Sequence, residues 1–128
     1  MPLVRCPTPA EASSALSSLR IGRGSALFLF FGSEDPVSGQ SWCADCNTAD
    51  PVLRASIRRL RPELTLYECP VGVRSEWKNH PEHPYRLHPS TRVGRIPTLL
   101  LLEHGIERGR LVEGDCAKPE LVQAFLNQ

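Results

Sequence analysis

Apolar residues along the chain fall into spaced stripes and short unbroken runs, and the alternation between the two predicts the order of elements. Thr8-Pro9-Ala10-Glu11 opens the first helix. Thr8 can cap, Pro9 fills the first helical position, where no N–H is needed, and Glu11 completes a capping box. The helix is expected over residues 9–20, with Gly22 and Gly24 ending it. Residues 25–31, Ser-Ala-Leu-Phe-Leu-Phe-Phe, are apolar without alternation, as in a strand buried on both faces at a sheet centre. Residues 32–40 are rich in Gly, Ser, Asp and Pro and read as a loop. Helical spacing returns over residues 43–60 through Val52, Ile57 and Leu60, and it resumes so promptly after Pro51 that this proline is expected to kink the helix without ending it.

A second strand is expected over residues 64–69, followed by a long polar connection with a short helix near residues 82–87. A third strand, residues 98–102, is entered through Pro97. Gly105 marks a turn into a strand over residues 108–112, and Leu121, Val122, Phe125 and Leu126 form the apolar stripe of a last helix with Pro119 in its first turn. A buried strand followed by a crossover helix implies a parallel neighbour, so the economical solution is an α/β fold: a βαβ front half and a ββα back half sharing one mixed sheet flanked by helices. No repeat or long linker divides residues 1–128, and one domain is expected.

Composition narrows the function classes. Fifteen Lys plus Arg against fourteen Asp plus Glu give a net charge of +1, which offers no bulk field for nucleic acid or an anionic membrane. The longest apolar run, residues 26–31, falls far short of the about 20 residues of a membrane-spanning helix. Residues 1–7 contain neither a continuous apolar stretch nor a small-residue cleavage site, which argues against secretory export. Five cysteines, an odd number in a chain of this kind, then point to a reducing compartment and a cytoplasmic location. Arg54, Arg58 and Arg61 share a helix face; a phosphate-binding stripe is one reading and a solvated face the ordinary one. His80, His83 and His88 are separated by prolines and read as loop-surface residues, not as a metal site.

Trp42-Cys43-Ala44-Asp45-Cys46 stands where the loop after the first core strand meets a helix N-terminus. Cys-x-x-Cys alone fits a zinc knuckle or a dithiol redox centre. Zinc needs a second ligand pair, and neither Cys69, Cys116 nor the histidine loop offers one at suitable spacing, so no metal is expected. At a helix start, free N–H groups and the helix dipole stabilise a thiolate and lower its pKa to roughly 7, which makes Cys43 the nucleophile. Cys46, one turn further in, is placed to resolve a mixed disulfide. Trp42 would cover the dithiol and offer an apolar face to substrate, or simply pack the loop. Asp45 would oppose the pKa depression, or cap the helix. Ile96-Pro97 is a natural site for a cis peptide that leaves the N–H and C=O of Ile96 free to pair with an extended substrate.

Residues 31–35 and 39–46, together with Val71-Gly72, Trp77-Lys78, residues 96–100 and Leu111-Val112-Glu113 followed by Cys116, resemble the thioredoxin-related family of thioredoxin domain-containing protein 17, whose hallmark is Trp-Cys-Pro-Asp-Cys. The likeness covers nearly the whole chain. It implies a monomeric cytosolic thioredoxin fold that reduces small disulfides such as cystine and selected protein disulfides or persulfides. Its electrons would come from NADPH through thioredoxin reductase, with no bound cofactor. By the same likeness Cys43 is the nucleophile, Cys46 the resolving cysteine and Pro97 the facing cis-proline, while Cys69 and Cys116 match cysteines outside the active site and are expected to pack. The non-enzymatic alternative is a thioredoxin-fold interaction or redox-sensing module. Cys6 has no assigned role, and an intermolecular disulfide through it stays open.

Two departures stand out. Ala44 replaces the family proline, and its restored N–H is expected to stabilise the thiolate and shift the reduction potential. Thioredoxin's first core strand also carries a buried carboxylate, whereas residues 26–31 contain none, so a proton leaving Cys46 must use solvent, Asp45 or the departing thiolate.

Overall fold

The unbroken apolar run becomes the centre of a five-stranded sheet in the computed structural model, which describes residues 1–22 and 24–128. Strand β2 (Ser25–Phe31) pairs parallel with β3 (Thr65–Pro70) on one side and antiparallel with β4 (Thr98–Glu103) on the other. Strand β1 (Leu3–Arg5) lies parallel on the outer side of β3, and β5 (Ile106–Val112) runs antiparallel to β4, giving the order β1-β3-β2-β4-β5. Helix α1 (Pro9–Ile21) connects β1 to β2, and α2 (Ala44–Leu60) connects β2 to β3. Two short helices, α3 (Arg74–Trp77) and α4 (Pro84–Leu87), lie in the long connection to β4. A 3₁₀ turn at Glu113–Ala117 leads into α5 (Pro119–Leu126), and these two segments pack with α2.

Because successive strand residues point to opposite faces, β2 divides the core in two. Leu29 and Phe31 face α2, where Ala49 and Leu53 meet them. Phe28 stacks on Tyr67 and Phe30 meets Tyr85 edge-on, on the other face. Leu99, Leu100, Leu101 and Leu102 are all buried, as an apolar strand between two neighbours requires. The hairpin β4–β5 turns on His104 and Gly105, both at positive φ, the geometry that matches the right-handed twist of the strands it joins.

The capping box at Thr8 forms as expected: Thr8 Oγ1 accepts from the Glu11 N–H, and a Glu11 carboxylate oxygen accepts from the Thr8 N–H. Helix α2 runs through Pro51. Three elements escape the periodicity: β1, α3 and the 3₁₀ turn. Strand β1 has only three residues, all exposed, and exists because β3 offers an open edge; Leu66 donates to Pro2 O at 2.9 Å and Cys6 to Glu68 O at 2.9 Å.

Two expectations about side chains are corrected. His83 is buried, not a surface residue: its Nε2 bonds Val71 O at 2.8 Å, its Nδ1 accepts from Tyr85 N–H, and its ring meets Trp77 edge-on. The arginine stripe is not one uniform face. Arg54 is half-buried between Asp50 and Glu68, Arg61 donates to Glu63 and to Leu126 O, and only Arg58 is fully exposed. Among the described residues no helix is long and apolar enough to cross a membrane.

Candidate active site

The sequence Gly-Gln-Ser-Trp-Cys must turn the chain from the end of β2 into α2, and Ser41 makes that turn. Its Oγ donates to Gly32 O at 2.6 Å and accepts from the Cys43 N–H at 3.1 Å. Asn47, one turn into α2, clamps the same residue: its Oδ1 accepts from the Ser41 N–H and its Nδ2 donates to Ser41 O. The four bonds fix the backbone leading into the dithiol. Neither Ser41 nor Asn47 was singled out in the sequence, although a serine just before a helix start is a recognisable capping signal.

Trp42 turns back over the end of β2, and its Nε1 donates to Gly72 O at 2.9 Å. A Cβ at Gly32 would stand 2.7 Å from the indole, so glycine is what permits this packing. The ring packs the loop and remains half-exposed beside Cys43. Gly72 sits at φ +104, a left-handed conformation, and its N–H donates to Ser33 Oγ at 2.9 Å.

Cys43 is itself the N-cap of α2, with its Sγ accepting from the Cys46 N–H at 3.3 Å. The neighbouring Cys46 thiol comes first among the influences on Cys43. Together with the N–H groups of Cys46 and Asp45 it outweighs partial burial and the Asp45 charge, bringing Cys43 from the ordinary 9.0 down to about 7. Cys46 moves upward, first because Cys43 holds its proton and then because it is buried. Asp45 is exposed and acts on Cys43 through its charge and its N–H; the capping role considered for it belongs to Cys43. The backbone N–H that bonds Cys43 Sγ is that of Cys46, and Ala44 makes no such bond.

The Ile96-Pro97 bond is cis. The two residues separate two depressions. Ile96 lines a groove of about 390 Å³ together with Trp42, Cys43, Asp45, Arg74 and Lys78. Pro97 lines a cleft of about 410 Å³ with Cys46, Glu34, Asp50 and Arg54. Among the described residues neither the N–H nor the C=O of Ile96 makes a hydrogen bond. Cys116, pushed up to about 12 by burial, donates its S–H to Pro97 O, and the Glu113 N–H donates to the same oxygen at 2.7 Å. Arg74 and Lys78 come from the connection after β3 and have no local signal in the sequence. Among the described residues no group of three or more His, Cys, Asp or Glu side chains could hold a metal ion.

Known proteins place the chain in a family and a fold. The thioredoxin domain of the thioredoxin domain-containing protein 17-like family matches residues 9–128. Thioredoxin-like protein Clot of Arabidopsis thaliana is 30% identical over 122 residues, covering 92% of this chain and 90% of that protein. Thioredoxin domain-containing protein 17 of Homo sapiens is 30% identical over 105 residues, covering 82% and 80%. The crystal structure of oxidised thioredoxin O2 from Arabidopsis thaliana superimposes with a TM-score of 0.67 at 22% identity, covering 98% of this chain and 95% of that one, and establishes the fold as that of thioredoxin.

Proposed function

The chain belongs to the thioredoxin domain-containing protein 17-like family, whose thioredoxin-like domain carries a redox-related role, and on that premise we propose that it is a disulfide reductase working through Cys43 and Cys46. The observation that carries the reading is the asymmetry of the pair: a half-buried Cys43 capping α2 with its pKa near 7, and a buried Cys46 that keeps its proton.

In this mechanism the Cys43 thiolate attacks one sulfur of the target disulfide, a new S–S bond forms, and the other sulfur leaves as a thiolate that takes a proton from water. Cys46 then attacks Cys43 Sγ, releasing the second target thiol and leaving the Cys43–Cys46 disulfide. Two electrons have passed to the target. Thioredoxin reductase, drawing on NADPH, returns them. No carboxylate on β2 assists Cys46. Glu34 and Asp50 share its cleft but are engaged by Arg5 and Arg54, and Asp45 lies toward the other groove, so water in the cleft is the route for the Cys46 proton.

The substrates proposed are small disulfides bearing carboxylates, such as cystine, together with selected protein disulfides. Arg74 and Lys78 border the Cys43 groove, and among the described residues neither is paired with a carboxylate. An extended substrate would pair with the free N–H and C=O of Ile96 beside Pro97, with Trp42 beneath it. The enzyme acts as a cytoplasmic monomer, without metal or bound cofactor.

The test is NADPH consumption in the presence of thioredoxin reductase and cystine. Turnover that is lost in Cys43→Ser supports the reading, and Cys46→Ser should accumulate covalent partners on Cys43. Absence of turnover, with partner binding unaffected by Cys43→Ser, would instead mark a non-catalytic interaction module.

A further inference from the structure

Cys6 and Cys69 are brought together by strand pairing, far from the Cys43–Cys46 centre. The register of β1 against β3 runs Leu3 to Leu66, Val4 to Tyr67 and Arg5 to Glu68, and the Cys6 N–H continues it by donating to Glu68 O at 2.9 Å. Cys6 therefore stands beside Cys69 on the neighbouring strand. Strands lie about 4.8 Å apart, inside the roughly 4.4–6.8 Å between Cα atoms that a disulfide spans. Cys69 donates its S–H to Tyr67 O at 3.8 Å, each thiol acts on the protonation of the other, and they are 2% and 0% exposed.

We propose that Cys6 and Cys69 are a second redox-active thiol pair, which an oxidant of the hydroperoxide class converts to a disulfide that staples the N-terminal edge strand to β3. The pair is separate from the active-site dithiol. Cys69 is in register with Phe30, whose ring packs on Tyr85, whereas Leu29 and Phe31 line the cleft of Cys46. The two dithiols thus occupy opposite faces of the sheet, and the Cys43–Cys46 pair cannot reach this one within the same chain.

Access comes from the edge. All three residues of β1 are exposed and pair on one side only, so local detachment of this strand uncovers Cys6 at the margin of the core while the central strands stay paired. A cleft of about 600 Å³ lined by Pro7, Ser33, Pro70 and Val71 already reaches the residue after each cysteine. Cys6 is the attacking sulfur, because the neighbouring Cys69 thiol lowers its pKa while Cys69 is raised. Its thiolate takes the distal peroxide oxygen, the O–O bond breaks, and Cys6 becomes a sulfenic acid as water or an alcohol departs. The Cys69 sulfur then attacks Cys6, the S–O bond breaks, and a water leaves. Two thiols lose two electrons and the hydroperoxide gains them.

The staple has a structural consequence near the active site. Arg5, the residue before Cys6, makes two hydrogen bonds to Glu34, which lies in the loop leading to Trp42. Closing Cys6 to Cys69 holds that arginine in place.

The experiment uses the full chain carrying Cys43→Ser and Cys46→Ser, so its outcome is independent of the reductase reading. After hydrogen peroxide, denaturing alkylation and peptide mass mapping should find a Cys6–Cys69 linked peptide lighter by two hydrogens, with Cys116 the only alkylated thiol and full reversal by dithiothreitol. Hydrogen exchange at the Cys6 amide should slow at least several-fold in the oxidised protein. In Cys69→Ser added to the same background, dimedone should trap Cys6 as the sulfenic acid. Full alkylation of both thiols after peroxide, intermolecular links through Cys6, or a crosslink that leaves exchange unchanged would overturn the proposal. Should Cys69→Ser fail to fold, the mapping on the intact pair decides alone.

Discussion

The reactivity of a thiol at neutral pH depends on a few contacts, and Cys43 has the right ones. With a pKa near 7 about half of it is thiolate at neutral pH, against about one per cent for a thiol at 9.0. Its alkylation rate should therefore rise about tenfold per unit below pH 7 and level off above, and cystine reduction should follow the same curve; a midpoint near 9 would contradict the assignment. Cys46, whose pKa is raised, should add no step in that range. Gly72 makes a second prediction at this scale. At φ +104, a Cβ there would stand 2.8 Å from Glu76 Oε1, the atom that accepts from the Val73 N–H. Gly72→Ala should cost about 1–3 kcal/mol in chemical denaturation and also weaken activity, because the Gly72 carbonyl holds Trp42. The sequence exposed the roles of the two cysteines and the tryptophan; Ser41 and Gly72 entered only with the family likeness and Asn47 not at all, because their roles consist of hydrogen bonds that exist only once the loop has closed.

At the scale of the element, helix α2 shows how capping and chemistry share one residue. Cys43 ends the extended segment at φ −91 and ψ 109, a conformation that a following proline favours, and Ala44 is the first helical residue. Ala44→Pro should therefore be accepted, raising stability by about 0.4–1 kcal/mol through the unfolded chain. Since Cys43 Sγ takes its backbone hydrogen bond from the Cys46 N–H and not from Ala44, the Cys43 pH midpoint should stay put. Calorimetry and thiol titration of the variant check both statements, and a midpoint moved by a full unit would restore a role for the Ala44 amide. The long elements were readable because their residues repeat a period: the capping box of α1, the stripe of α2 and the apolar runs of β2 and β4. Strand β1 was not, since three exposed residues have no pattern and gain their place from the open edge of β3. His83 is buried by a cage of Val71, Trp77 and Tyr85 from its own connection, and its irregular turns bring these near residues together without any periodic signal.

Across the whole molecule the charges nearly cancel, yet among the described residues the groove beside Cys43 carries three cations in no ion pair: Arg74, Lys78 and Arg86, the last held by Gly94 O and Trp77 O. Replacing Arg74 and Lys78 by alanine should raise KM for cystine about 2- to 5-fold, the worth of exposed ion pairs, with kcat nearly unchanged. Added salt should shrink the difference. An equal rise with an uncharged disulfide would show that the side chains shape the groove and do not read charge.

The linear sequence by itself determined the α/β class, the mixed sheet and the site of the dithiol at a helix start, because these depend on local period, capping and spacing. Which cysteines meet was decided by the tertiary structure. Cys43 and Cys46 are neighbours by helical geometry, but Cys6 and Cys69 are 63 positions apart and become neighbours only through the register of β1 on β3. Parallel pairing at an open sheet edge leaves no mark in either strand alone, which is why a cysteine without an apparent role in the sequence acquires a partner in the fold.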